Sequence, residues 1–576
     1  MELADGGRCS ANPPGSNDGA TMTDNFRPIV TPPSTATSTS ASATAQSIPL
    51  HAAPAQPLLV QPRPDSRVML RDDVLLSKGL FTLVNGSLTP REAMIEDLLF
   101  LRGALIAASI RFFLVRADDN RPVVVVNWVD RKKLRLALAE ACAREPFYSR
   151  VEDRARVTPA LIAEGRLSRD PKARAFTLYR PRIEPLGRLR YGAANGVRVE
   201  LWQFNDTAVI APTDNALMRT TLPLSEVVEG SIELFGERWN TLEGMFGEHA
   251  SDITFDIDLV FSWVDGASIE WQRARAKRME SYVVGEGDSA EARFRQIDEL
   301  KYALRSVNLF APWIRNIFVV TDSPAPSWLD EHPRVTIVRS EDFFPDLSVL
   351  PTHNSHAIES QLHHITGLSE HFLYSNDDMF FGRPVTPDMF FSPGGLTKFI
   401  EATTRIGLGD SNPERSGFEN AARVNRRLLQ DRFGRLTTRH LEHAATPLRK
   451  SVMAELETEF AEDFRRTSAS AFRSATDISV TNSLYHYYAL MSGRAVVQTH
   501  AKVKYVDTTT YEGLRSLNQL LKRRSHDFFC LNDGSFPEIE AGERAAAVLE
   551  FLQHYFPIPA PWEISGTATP TVAVIA

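Results

Sequence analysis

The chain has 576 residues, of which 43% are hydrophobic and 24% charged. That balance supports a large packed core and excludes a wholly disordered or collagenous protein. The formal net charge is -8, from 64 basic and 72 acidic side chains, so the overall field repels polyanions, general nucleic-acid binding is not expected, and any phosphate site has to be local. Cys9, Cys142 and Cys530 lie far apart with no C-x-x-C spacing, which argues against a disulfide scaffold and against a cysteine-based zinc site. The most apolar stretch, residues 98–115, carries Arg102 and Arg111 and reads as a helix running into a strand, not as a membrane span of roughly 20 apolar residues. With no charged segment and apolar core of signal-peptide type, cytoplasmic residence is expected, and contact with the inner face of a membrane stays open.

Residues 1–66 are rich in Ser, Thr, Ala and Pro, with no formally charged side chain between Arg27 and Arg63. Such a stretch buries too little apolar surface to offset its ordering entropy and is expected to be a disordered tail, as is 566–576. From 67 to 250 the pattern predicts an α+β accessory domain: a helix over 91–107, strands over 111–115 and 122–128, a helix over 131–144, and strands over 197–203 and 207–210. Its arginines Arg180, Arg182, Arg188 and Arg190 are read as a solvated face, with an anionic substrate as the alternative.

Residues 251–565 have a sharper rhythm. Apolar runs at 258–264, 316–321, 335–338 and 371–374 alternate with helical spacing at 298–309 and 357–368, which predicts a doubly wound, Rossmann-like α/β domain with parallel pairing. Ligands in such sheets sit beyond the carboxyl ends of the strands. Those ends are acidic: Asp265, Asp322, then Asp377 and Asp378. Asn532 and Asp533 close the apolar run 528–531 in the same way. Hard oxygen donors held on strand ends suit Mg²⁺ or Mn²⁺, with substrate phosphate completing the shell. Trp263, beside Asp265, could stack on a nucleobase, although a tryptophan in an apolar strand usually packs in the core. His356 follows Asn354-Ser355 near a helix start and could meet phosphate there. Residues 404–440 are Arg-rich and polar with no clear period, an insertion or lid; 447–460 reads as a helix with an apolar stripe of Leu448, Val452 and Leu456.

The succession DIDLVFSWVDG at 256–266, RF at 293–294 with DELKYALRS at 298–306, APWIRNIFVVTD at 311–322, LPTHNSHAIES at 350–360 and FLYSNDDMFFG at 372–382 resembles the Stealth family of bacterial capsular and exopolysaccharide phosphotransferases, relatives of animal N-acetylglucosamine-1-phosphotransferase. Blocks at 443–473 and 528–534 continue it, so the resemblance covers roughly 251–560. The loop Thr321-Asp322-Ser323-Pro324 departs from the family's usual T-[DN]-G-Q, and His353 stands where an aromatic is common.

The resemblance implies transfer of a hexose 1-phosphate from a nucleoside diphosphate sugar to a hydroxyl of a glycan or lipid-linked glycan, leaving a phosphodiester and a nucleoside monophosphate. It assigns a phosphate clamp to Arg473, whose planar fork can hold two phosphate oxygens. It assigns proton transfer to His443, whose imidazole titrates near neutrality. It also brings in Glu299, with Asp322, and makes Arg305 an orienting or structural partner. Glu299 and Arg305 are spaced about 240° apart around a helix, so they cannot both face one point. The alternatives are a metal-dependent glycosyltransferase moving the sugar without its phosphate, and a glycan-binding or host-interaction protein with no activity.

Overall fold

The computed structural model describes residues 71–564 apart from 120, 153–157, 169, 187–188, 267–272, 274–296 and 535–536. The expected tails at 1–66 and 566–576, Arg188 and the 293–294 pair lie outside the described residues. No helix among the described residues is long and apolar enough to cross a membrane.

In the N-terminal part the helix Pro90–Ala107 begins where Thr89 and Glu92 form a reciprocal capping box with proline at the first turn, so its exposed N–H groups are satisfied locally. It buries Leu98, Leu101 and Leu105. The valine run of Pro122–Asn127 pairs antiparallel with Phe112–Arg116 and parallel with Val197–Phe204, within an eight-stranded sheet. Both faces of that run are buried, which is why it reads as uniformly apolar.

Here the reading of Arg180 and Arg182 as a solvated face is corrected. They are only 5% and 4% exposed. Arg180 donates to Asp97 at 2.7 Å, Glu145 at 2.9 Å and Glu96 at 2.8 Å, and Arg182 donates to Asp97 at 2.8 Å. They neutralise a buried aspartate brought from the helix Pro90–Ala107, a partner no local pattern announces. Arg190 is exposed and donates to Ser77.

The C-terminal part is built on a five-stranded sheet. In chain order its elements are β1 (Ile257–Ser262), α1 (Glu299–Phe310), β2 (Ile317–Val320), β3 (Val335–Val338), α2 (Ser355–Gln361), β4 (His371–Asn376), β5 (Met379–Phe381), α3 (Gly417–Phe433), β6 (Thr446–Arg449), α4 (Lys450–Glu459), β7 (Val503–Asp507), α5 (Tyr511–Arg523), β8 (Phe528–Asn532) and α6 (Ala541–Tyr555). The strand order is β3-β2-β1-β4-β6, parallel through β4, with β6 antiparallel at the edge. The chain winds outward from β1 to β3 and returns on the other side of β1 as β4. This is the expected doubly wound α/β domain, and its switch point lies between the carboxyl ends of β1 and β4.

The opposite, amino end of the sheet is pinned by one buried carboxylate. Asp258 accepts from Arg315 at 2.9 and 2.6 Å, from the Asn316 N–H at 3.1 Å and from the Ser369 N–H at 2.8 Å. The starts of β1, β2 and β4 are thereby held in register. A smaller sheet, β5-β8-β7, stands beside the first, and β4 passes into β5 through the turn Asp377-Asp378.

Two expected elements differ. Residues 447–460 do not form one helix: β6 takes Pro447 and Leu448 as an edge strand and α4 starts at Lys450. Proline lacks the N–H that an inner strand needs, and an edge tolerates it. The aperiodic segment 404–440 contains the 17-residue α3, flanked by paired strands Glu401–Arg405 and Arg439–Leu441. Its buried face includes Asn420, Arg423 and Asn425, polar residues that hide the helical period; Asn425 donates to Ser479 O and Ser483 Oγ.

The accessory part does not stand apart. Ala93, Leu189 and Tyr191 share one apolar cluster with β1, α1 and α6, and all described residues fall within a single compact unit. Near the C-terminus, Arg305 grips both oxygens of Glu563 at 2.7 Å and the Phe556 carbonyl at 2.9 Å. Replacing Glu563 with Ala strands a buried guanidinium, so a loss of about 3–5 kcal/mol is expected in urea unfolding. A change under about 1 kcal/mol would show that this pair does not hold the C-terminal segment.

Candidate active site at the carboxyl edge of the sheet

The turn after β4 is rigid because both its flanks are paired. The Asp378 carbonyl accepts the Leu531 N–H at 2.9 Å, and Met379 pairs with Cys530 on β8. The Asp378 side chain then has few options. Oδ2 takes a weak 3.4 Å bond from the Cys530 thiol, while Oδ1 is buried with no hydrogen-bond partner among the described residues. Burial first, then the negative charges of Glu299 and Asp533, push this carboxyl up to about 6, against the opposing Cys530 contact. Burial and the charges of Asp378, Asp377 and Asp533 likewise raise the Cys530 thiol far above its ordinary value. The structure thus brings Glu299, Asp377, Asp378 and Asp533 together from three segments. A buried carboxylate oxygen left without a donor amid other carboxylates fits a divalent cation with oxygen ligands.

Asp533 is positioned by Thr508, whose hydroxyl donates at 2.6 Å, with the Arg544 guanidinium 4.0 Å away. Asn532 ends β8 opposite Asp507 and shares a side-chain hydrogen bond with Tyr505. Tyr505 joins His443 to the cluster: their rings are 5.1 Å apart, and the charges of Cys530, Asp507 and Asp378 reach the phenol. Burial, and after it the charge of His440, holds the His443 imidazole below its ordinary value. The ring is thereby held toward its neutral form.

Arg473 lies on a loop fixed by the buried Asp477, which accepts from the Ser474 N–H at 2.9 Å and from Asn354 at 2.8 Å. The guanidinium donates to Ser355 at 2.7 Å, and its charge reaches Tyr374 on β4. Its stem lies flat on Gly417, where an added Cβ would come within 2.8 Å of Arg473 Cβ.

The other expected site residues are placed differently. Asp265 and Asp322 follow neighbouring strands; the Asp265 N–H donates to Ser323, and both Asp322 oxygens accept from Ser340. His356 is buried with Nδ1 3.8 Å from Asp477, in the packing under the Arg473 loop. Trp263 is 6% exposed within the apolar core, and Arg305 is consumed by Glu563, so neither joins the acids. Sequence reasoning missed Tyr505, Thr508 and Cys530. The alternation in Val503–Asp507 before a run of threonines is the signal that could have marked β7 as a site strand.

Comparisons with known proteins place this fold and these residues in a known family. Models of Stealth protein conserved regions 1, 2, 3 and 4 match residues 255–283, 293–399, 442–490 and 518–569. The exopolysaccharide phosphotransferase CpsY of Mycobacterium tuberculosis (strain ATCC 25618 / H37Rv) is 61% identical over 490 residues, 85% of this chain and 92% of the relative. That of Mycobacterium leprae is 59% identical over 514 residues, 88% of this chain and 95% of the relative. Among solved structures, the galactosyltransferase LgtC in complex with donor and acceptor sugar analogues is 12% identical with a TM-score of 0.27, covering 53% of this chain and 96% of that one, a score too low to bear on function. The chain belongs to the Stealth family and is a transferase enzyme. Region 2 holds Glu299, Asp377 and Asp378, region 3 holds His443 and Arg473, and region 4 holds Asn532 and Asp533.

The raised Asp378 carboxyl has a signed consequence. Its folded value, about 6 against an ordinary 3.8, means the folded state holds the proton more tightly, so stability is lost as pH rises from about 4 through 6. Asp378→Asn removes that cost. The metal-free variant is expected to be more stable than the parent by about 1–3 kcal/mol at pH 7.5, the difference closing near pH 4, while activity is lost. Equal stability at pH 7.5 would mean that burial and the neighbouring carboxylates do not penalise the charged form of Asp378.

Proposed function

We propose that this enzyme transfers a hexose 1-phosphate from a nucleoside diphosphate sugar to a glycan hydroxyl during exopolysaccharide assembly. The observation that carries this reading is the orphaned Asp378 Oδ1 among the carboxylates of Glu299, Asp377 and Asp533. The relatives, named exopolysaccharide phosphotransferases, support it.

Asp377, Asp378, Asn532 and Asp533 would hold a divalent ion, Mg²⁺ or Mn²⁺. When bound, the ion supplies positive charge that offsets the diphosphate. Glu299 adds to their negative field. Arg473, fixed by Ser355, would clamp phosphate oxygens through its planar fork. The acceptor oxygen forms a bond to the sugar-bearing phosphorus. The bond from that phosphorus to the bridging oxygen breaks, and its electron pair leaves with the nucleoside monophosphate. The acceptor's proton passes to His443, neutral at pH 7 through burial, while Asp265 and Asp322 shape the donor side of the cleft. Positioning and charge stabilisation supply most of the catalysis of such transfers.

The products discriminate the readings. Incubation with a panel of nucleotide sugars, a glycan acceptor and Mg²⁺, followed by ³¹P NMR, is expected to show a nucleoside monophosphate and a phosphodiester. Release of a nucleoside diphosphate would instead make the enzyme a glycosyltransferase moving the sugar alone. His443→Asn is expected to lower kcat by about 10²–10⁴-fold, and Arg473→Lys to lower kcat/KM although it preserves the charge. Unchanged kinetics in both would remove those residues from the reaction.

A further inference from the structure

A second group of potential metal ligands lies outside the acid cluster. After Gln361 the helix α2 tightens into a 3-10 turn, Leu362–His364, which brings two consecutive imidazoles to one carboxylate. Their ring centroids are 4.0 Å apart with the planes inclined by 37°. Nε2 of His363 lies 2.8 Å and Nε2 of His364 3.0 Å from the same oxygen, Oε2 of Glu457 on α4. All the ligand atoms fall within 4.8 Å of one another. The His363 side chain is 3% exposed, those of His364 and Glu457 32% and 30%. One donor is therefore sealed in the core and two border solvent, which leaves an open side.

We propose that His363, His364 and Glu457 form a binding site for a divalent ion of the zinc class, with solvent in the fourth position. Two imidazoles and a carboxylate match that chemistry, whereas Mg²⁺ prefers an all-oxygen shell. Tetrahedral Zn²⁺ with bonds of about 2.0–2.1 Å keeps neighbouring donors roughly 3.3 Å apart. The two nitrogen-to-carboxylate separations, 2.8 and 3.0 Å, need only a small outward shift to admit it. The protonation is suitable as well. Burial keeps the His363 imidazole below its ordinary value. Burial works to raise the Glu457 carboxyl, but the hydrogen bonds from His363 and then His364 outweigh it and hold it at about 2.

None of the three ligands belongs to the acid cluster, and none is His443 or Arg473. The role of the site is to brace: the ion joins the end of α2 to α4, and the start of α2 carries Ser355, which holds Arg473.

The test uses the full chain without an affinity tag, stripped with chelator and titrated with Zn²⁺ by calorimetry in excess Mg²⁺ so that the acid cluster is not the reporter. One equivalent is expected to bind and raise the thermal midpoint, with affinity falling at least about tenfold in His364→Ala and in Glu457→Gln. Co²⁺ added to the wild-type chain should give the absorption of a tetrahedral site, a readout that does not depend on the variants folding. No uptake of Zn²⁺ by the wild type, no tetrahedral Co²⁺ signal, or unaltered binding in both folded variants overturns the proposal.

Discussion

A carboxylate buried among other carboxylates is the constraint around which this site is built. Burial first, and then the negative charges of Glu299 and Asp533, push Asp378 well above the usual carboxyl range, and one of its oxygens is buried without a donor among the described residues. A folded protein gains nothing from such an arrangement on its own, since buried like charges and orphaned acceptors both cost stability. Cations relieve it, and a divalent ion with a phosphate-bearing substrate is the occupant its chemistry suits. The strain is local and serves the site, as is common where function overrides stability.

The rest of the fold keeps those charges from relaxing apart. At the amino end of the sheet Asp258 ties three strands through Arg315 and two backbone N–H groups. At the carboxyl end the Asp377-Asp378 turn is held between two sheets, with Leu531 bonded to the turn itself. Arg305 and Glu563 fasten the C-terminal segment onto α1, the helix that begins with Glu299. The ionic contacts in this region thus divide into two kinds. Asp258 and Glu563 are matched by arginines and stiffen the frame, whereas Asp378 is left unmatched within the frame.

Much of this was legible in the chain. Of the apolar runs that became β1 to β4, the first, second and fourth are followed by acids, and strand-end acids in an alternating pattern point to the carboxyl edge of a parallel sheet. What stayed hidden was long-range pairing. Arg180 and Arg182 read as surface because their partner Asp97 lies in a distant helix. Helix α3 showed no period because it buries an arginine and amides, among them Asn420 and Asn425, that bond to other segments. Trp263 and Arg305 sit among site-like neighbours in sequence yet enter the core, since adjacent residues on a strand or helix face different ways. Tyr505 was missed because its role comes from lying between His443 and Asp378 in space.

The account turns on acids from separate segments sharing one cation. Diffraction from crystals soaked in Mn²⁺, recorded at the manganese absorption edge, locates that ion directly. An anomalous peak within coordination distance of Asp378 Oδ1, shared with Asp377 or Asp533, is the predicted result. A peak only elsewhere, or none in this cleft with nucleotide sugar present, would contradict it.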